Sequence, residues 1–132
     1  MYDKNMLIGI LVALGRCESI IERKDSANMG YRVRLRLSLR GEEVFLRAIK
    51  RSLEQHQIQS NLYERESSSR EKPILRITGN LNLFRTMNFI PEYLPDCKGD
   101  FSDFRKIVNI VADKKHLTLE GFDEILKLKG EI

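Results

Sequence analysis

Residues 31–40 read YRVRLRLSLR, an alternation too regular for a helix, because side chains two apart share a face only in an extended backbone. Tyr31, Val33, Leu35, Leu37 and Leu39 fall on one side, and Arg32, Arg34, Arg36, Ser38 and Arg40 on the other. The first side has to be buried. The second carries guanidinium groups about 7 Å apart, twice the rise per residue of a strand. Residues 16–25, RCESIIERKD, precede this strand, and Ser26 to Gly30 supply turn chemistry between them, which predicts a long antiparallel hairpin.

A second stretch restricts the fold from another direction. Residues 6–15, MLIGILVALG, carry no charge, so a helix written this way is apolar on every side and must be covered on every side. It is too short to cross a bilayer, which takes roughly 20 apolar residues, and the preceding Tyr2-Asp3-Lys4 is not the basic leader of a signal peptide. Gly9 and Ala13, four apart, let a second backbone approach closely. A core helix of one chain and a helix packed on its own copy are both open readings.

The remaining pattern is helix, hairpin, helices. Residues 41–56 take helical spacing through Val44, Phe45, Ala48, Ile49 and Leu53. Strands over 58–65 and 73–78 follow, joined by a flexible Ser-rich turn at 66–72. Alternation points Ser60, Leu62, Glu64, Leu75 and Ile77 inward, and Asn61, Tyr63, Arg65, Ile74, Arg76 and Thr78 outward. Asn80 caps a helix over 81–89. Residues 101–115 form another through Phe104, Ile107, Val108 and Val111, and Thr118 starts the last, which carries Phe122, Ile125, Leu126 and Leu128. Two hairpins and interspersed helices predict an α+β fold: a four-stranded antiparallel sheet with helices on one face, residues 1–132 forming one domain.

The chain is 42% hydrophobic and 32% charged, with a net charge of +4, which suits a polyanionic partner only if the positive charge is gathered on one face. Cys17 and Cys97 stand far apart with no ligand-spaced Cys or His beside either, so the expectation is two reduced thiols in an intracellular protein, without a zinc site or a membrane partner. Cys17 should point inward. His56 sits at a helix end and His116 in a loop, neither at catalytic spacing from a nucleophile or carboxylate. There is no Gly-rich phosphate loop.

With these elements in order, the sequence resembles the LAGLIDADG homing endonucleases of the single-motif type. The motif helix is matched by Leu7-Ile8-Gly9-Ile10-Leu11-Val12-Ala13-Leu14-Gly15, the hairpins follow in the family's αββαββα order, and residues 104–108 and 116–122 resemble its closing helix, loop and helix. The resemblance implies a homodimer in which Leu7, Ile8, Gly9, Leu11, Val12 and Ala13 form the interface. It also implies a concave sheet that binds double-stranded DNA through Arg16, Glu18, Lys24, Arg32, Arg34, Arg36, Ser38, Arg40, Asn61, Tyr63, Arg65 and Arg76. Active members carry an acidic residue just before the motif's last glycine, where it holds divalent metal; here Val12 and Leu14 occupy the acidic positions. Glu18 is the nearest carboxylate in sequence, about 13 Å further along the strand. Lys98 stands near a lysine that assists catalysis in relatives, with a surface lysine the favoured reading.

The resemblance also implies that Arg16, Glu18, Ile20, Glu22 and Lys24 project onto the same face as the arginine row. The two glutamates either cross-pair with Arg34 and Arg36 or accept from cytosine N4 in a groove read by arginine. Seven arginines and one lysine against two glutamates favour phosphate contact. The expected function is DNA binding by a cleavage-inactive homodimer acting as a regulator, with no cofactor. The alternatives are an active, Mg²⁺-dependent endonuclease or RNA-splicing maturase, and a dimerisation module without nucleic acid.

Overall fold

The computed structural model describes residues 2–26, 30–91 and 99–130. Helix α1 (Lys4–Leu14) is capped by Asp3, whose carboxylate accepts from the Met6 amide. Strands β1 (Arg16–Arg23) and β2 (Tyr31–Arg40) form the expected hairpin, with Glu18 opposite Arg36, Ile20 opposite Arg34 and Glu22 opposite Arg32. Helix α2 (Glu43–Glu54) leads to β3 (Asn61–Tyr63) and β4 (Ile74–Thr78). Helices α3 (Asn80–Phe89), α4 (Gly99–Ala112) and α5 (Leu119–Lys129) follow, with a 3-10 turn at Lys115–Leu117.

The sheet is antiparallel with strand order β1-β2-β4-β3, so the two hairpins join where β2 pairs with β4. Inward residues follow the alternation: Leu35, Leu37, Leu39, Leu75 and Ile77 are buried. They belong to one cluster with Leu7, Ile8 and Leu11 of α1, Leu46, Ile49 and Leu53 of α2, Leu83 and Met87 of α3, Phe104, Ile107, Val108 and Val111 of α4, and Ile125 of α5. Thus α1 is a core helix on one side only. Met6 and Leu14 are about half exposed, at 53% and 50%, Gly9 is exposed and Ile10 half-buried.

Several sequence expectations shift. Leu7, Ile8 and Leu11, expected at a dimer interface, are buried in the chain's own core, because the side of α1 that carries them is the one packed into that cluster. In α2, Val44 is 81% exposed and Leu46 takes its place inside. The strand expected over 58–65 shrinks to three residues. Its approach is tied to α3 instead of to β4: the Gln59 amide donates to Asn82 Oδ1 at 3.1 Å, and Arg85 donates to the Gln57 carbonyl at 2.8 Å. Asn80 is the first residue of α3, not its cap, and it is Asn82 that bridges, donating to the Thr78 carbonyl. The turn at 66–72 is hydrogen-bonded from Glu66 to Lys72 and between Ser67 and Arg70. Thr118 does cap α5, accepting from the Gly121 amide.

Candidate nucleic-acid interface

The register of the ladders fixes which side chains share the outer face. One row across all four strands runs Arg16, Ser38, Arg76, Asn61; the next runs Glu18, Arg36, Thr78; Ile20 with Arg34 and Glu22 with Arg32 lie beyond. On the other side of the first row stand Arg40, Ile74 and Tyr63. Arg16, Arg32, Arg34, Arg40, Asn61 and Tyr63 are exposed, and Arg36 and Arg76 half-buried. The period-2 pattern of β2 therefore delivers its arginines to one surface.

Those arginines are held by acids. The Glu22 carboxylate accepts from Arg34 Nη1 at 2.7 Å and from Arg32 Nη2 at 3.0 Å. The bond from Arg34 above all, with the Arg34 charge and the bond and charge of Arg32, holds the Glu22 carboxyl below the usual carboxylate range against the opposing effect of burial. Glu18 accepts from Arg36 Nη2 at 2.9 Å and from the Ser38 hydroxyl at 3.2 Å. Burial alone would raise its carboxyl; the bonds from Arg36 and Ser38 and the charges of Arg36 and Arg16 outweigh it and leave the group lowered. Of the two uses open to the glutamates, cross-strand pairing is the one present.

A third acid was not visible in the sequence. Glu66 takes Arg40 through both fork nitrogens, Nε at 2.5 Å and Nη2 at 2.8 Å, with Arg70 at 3.4 Å. The hydrogen bond from Arg40 pulls the Glu66 carboxyl down to about 2, while burial works against it, and Arg40 is raised correspondingly. A Glu opening a Ser-rich turn gives no sign of its partner. Only closure of the β3–β4 connection brings it to the end of β2.

Some expected site residues sit elsewhere. Ser38 is 1% exposed, its hydroxyl turned to Glu18, so it supports the face and does not present a group to a ligand. Ile74 projects outward by alternation yet is 0% exposed, flanked in the ladder by Arg40 and Tyr63. Lys24 lies beyond β1 at the hairpin's end, its amide donating to the Gly30 carbonyl. Arg65 lies beyond β3, 3.6 Å from Glu71 with both side chains well exposed. Arg76 is set over the Tyr63 ring, 5.7 Å from its centroid. Cys17 is half-buried on the inner face, while Cys97 and Lys98 fall outside the described residues. His116 is half-buried, and burial lowers its pKa.

The α1 end that the resemblance would make a metal site carries Val12 and Leu14, whose side chains have no lone pair to offer. Among the described residues no group of three His, Cys, Asp or Glu side chains converges that could hold a metal ion. The residues present do not fit a divalent metal ion. Among the described residues no helix is long and apolar enough to cross a membrane.

No protein-family model and no curated protein sequence matches the chain. Solved structures do match. The crystal structure of the homing endonuclease I-TnaI is similar over 100% of this chain and 88% of its own, with a TM-score of 0.80 and 18% identity. The archaeal intron-encoded homing endonuclease I-Vdi141I, complexed with DNA, is similar over 97% of this chain and 80% of its own, at 0.76 and 20%. I-SmaMI, bound to an uncleaved DNA target in the presence of calcium ions, is similar over 98% of this chain at 0.76 and 21%, and the chain spans 44% of its length. Element order, sheet and neighbours agree: the chain has the α+β, αββαββα fold of the LAGLIDADG homing endonucleases.

Proposed function

We propose that this chain binds duplex DNA through the outer face of its sheet, as a homodimer joined along α1, and that it regulates without cutting. The observation that carries the reading is the outer-face row of Arg32, Arg34 and Arg36, continued by Arg16 and Arg76 on the strands either side, in a fold whose solved examples include endonucleases complexed with DNA. Spacing of about 7 Å along a strand suits successive groove and phosphate contacts. Arginine can take guanine O6 and N7 with two donors at once.

The dimer reading rests on the uncovered side of α1. Met6, Gly9, Ile10 and Leu14 leave an apolar strip on a helix whose other side is already in the core, and a Cβ added at Gly9 would meet nothing within 4 Å in the single chain. That open space lets a second helix come close. Loss of cleavage follows from Val12 and Leu14, which cannot ligate a divalent ion.

Selection of bound duplexes from a random pool tests binding, and nicking of plasmids carrying the selected site, with magnesium or manganese, tests cleavage. Enrichment of a two-fold-related site without nicking is the expected result. Metal-dependent nicking would restore the endonuclease reading. Failure to retain any duplex at low salt would leave a dimerisation module with no nucleic-acid role.

A further inference from the structure

We propose that Glu18 and Glu22 are specificity-determining residues: their carboxylates hold Arg32, Arg34 and Arg36 back from indiscriminate phosphate contact while leaving each guanidinium able to take a guanine edge. The inference rests on the DNA-binding reading above. Its basis is the number of donors each pair consumes. Arg32, Arg34 and Arg36 each give a carboxylate one terminal nitrogen in a single hydrogen bond, and a guanidinium has five N–H donors. Enough remain for a two-point contact with O6 and N7. Arg40 is the counterexample on the same strand. Its Nε and Nη2 are both bonded to Glu66, so the two-point clamp fixes its guanidinium to the turn, whereas single bonds leave the other three freer to reorient toward a base.

Phosphate binding responds differently to these pairs. Three guanidinium groups held by two carboxylates present one net positive charge instead of three. The binding that any duplex obtains from counterion release is reduced accordingly. A phosphate oxygen approaching Arg34 also meets the Glu22 carboxylate 2.7 Å from its Nη1, whereas a guanine edge brings no net charge. The carboxylates thus penalise the contact every duplex shares and spare the contact only some duplexes offer, a discrimination achieved by repulsion as well as attraction. They also orient the guanidinium groups, since Glu22 lies directly across the ladder from Arg32 and Glu18 from Arg36.

The test compares Glu18→Gln, Glu22→Gln and the double variant with the unaltered chain. Each is titrated by fluorescence anisotropy against a duplex selected from a random pool and a scrambled duplex of equal length, over a range of salt. Glutamine keeps the shape; the Glu22 pairs are exposed and contribute little to folding, whereas the Glu18–Arg36 pair is partly buried, so thermal melts verify that each variant is folded. For the scrambled duplex, each lost carboxylate should raise affinity roughly tenfold near ~0.1 M salt and steepen the logarithmic salt slope by about 0.9. The selected duplex should gain less, so the ratio of the two affinities falls about tenfold or more in the double variant.

Glu54→Gln removes the same charge from α2, where Glu54 takes Lys50 at 2.7 Å, and should leave the ratio unchanged. Equal gains for both duplexes, or a like effect from Glu54→Gln, would overturn the inference while DNA binding stands. Binding of no duplex by any variant would overturn both.

Discussion

At the scale of single residues, the arginines of β2 differ in how many nitrogens they commit to a carboxylate. Arg40 commits two to Glu66, and the carboxyl is held at about 2 against an ordinary 4.5. A group depressed in the folded state contributes stability that is fully present above its unfolded value and is lost as pH falls through its folded one. Glu66 should therefore support the turn fully above pH 4.5 and release it toward pH 2. Carboxyl-carbon NMR should find Glu66 titrating near 2, and Arg40→Ala should return it toward 4.5; titration near 4.5 in the unaltered chain would contradict the pairing. The arginine row was legible in the sequence because a period of two is a local property of β2. Glu66 was not, since its position depends on where a ten-residue connection closes, and neither was the burial of Ser38 and Ile74, which neighbours on other strands impose.

Among the elements, α1 has the clearest division of labour. Its letters gave an apolar helix but not its rotation, so Leu7, Ile8 and Leu11 could be placed at either surface until the sheet was in view. They pack on the sheet, and Met6, Gly9, Ile10 and Leu14 remain outside or at the boundary. The two glycines at its middle and end then predict opposite behaviour. A Cβ at Gly15 would lie 2.3 Å from the Leu11 carbonyl oxygen, so Gly15→Ala should lower the melting temperature by displacing backbone. Gly9→Leu meets open space in one chain and should gain helix propensity of roughly 0.5–1 kcal/mol. It should keep the far-UV circular dichroism and still move elution from dimer to monomer in size-exclusion chromatography. An unchanged elution volume would remove α1 as the seam. Strand β3 shows the complementary failure: alternation ran on through Glu64 and Arg65, but Asn82 and Arg85 of α3 claim the backbone before it, and a Ser-rich turn follows.

For the whole molecule, sheet order β1-β2-β4-β3 and helices packed on one side, among the described residues, leave the outer sheet face open, with Arg16, Arg32, Arg34, Arg36, Arg40 and Arg76 projecting from it. Element order and hairpins were enough to foresee a four-stranded antiparallel sheet, because pairing of neighbours in sequence needs no long-range information; the order of the hairpins was not foreseen, since it is set by the long-range pairing of β2 with β4. The balance of charge on the surface was overestimated. A count of outward positions gave two acids, whereas the folded chain brings Glu66 as a third and moves Lys24 and Arg65 off the strands. What remains is a sheet face whose arginines are partly neutralised, which under the proposed reading suits selective over general DNA binding. The most direct measurement of that claim is the salt-dependent affinity of the unaltered chain and of the Arg34→Ala, Arg36→Ala double variant for a selected duplex. Loss of roughly 1–3 kcal/mol for each base-reading contact removed is expected, with a linear fall of log affinity against log salt in the unaltered chain; equal affinities for the two proteins at every salt concentration would contradict DNA recognition by this face.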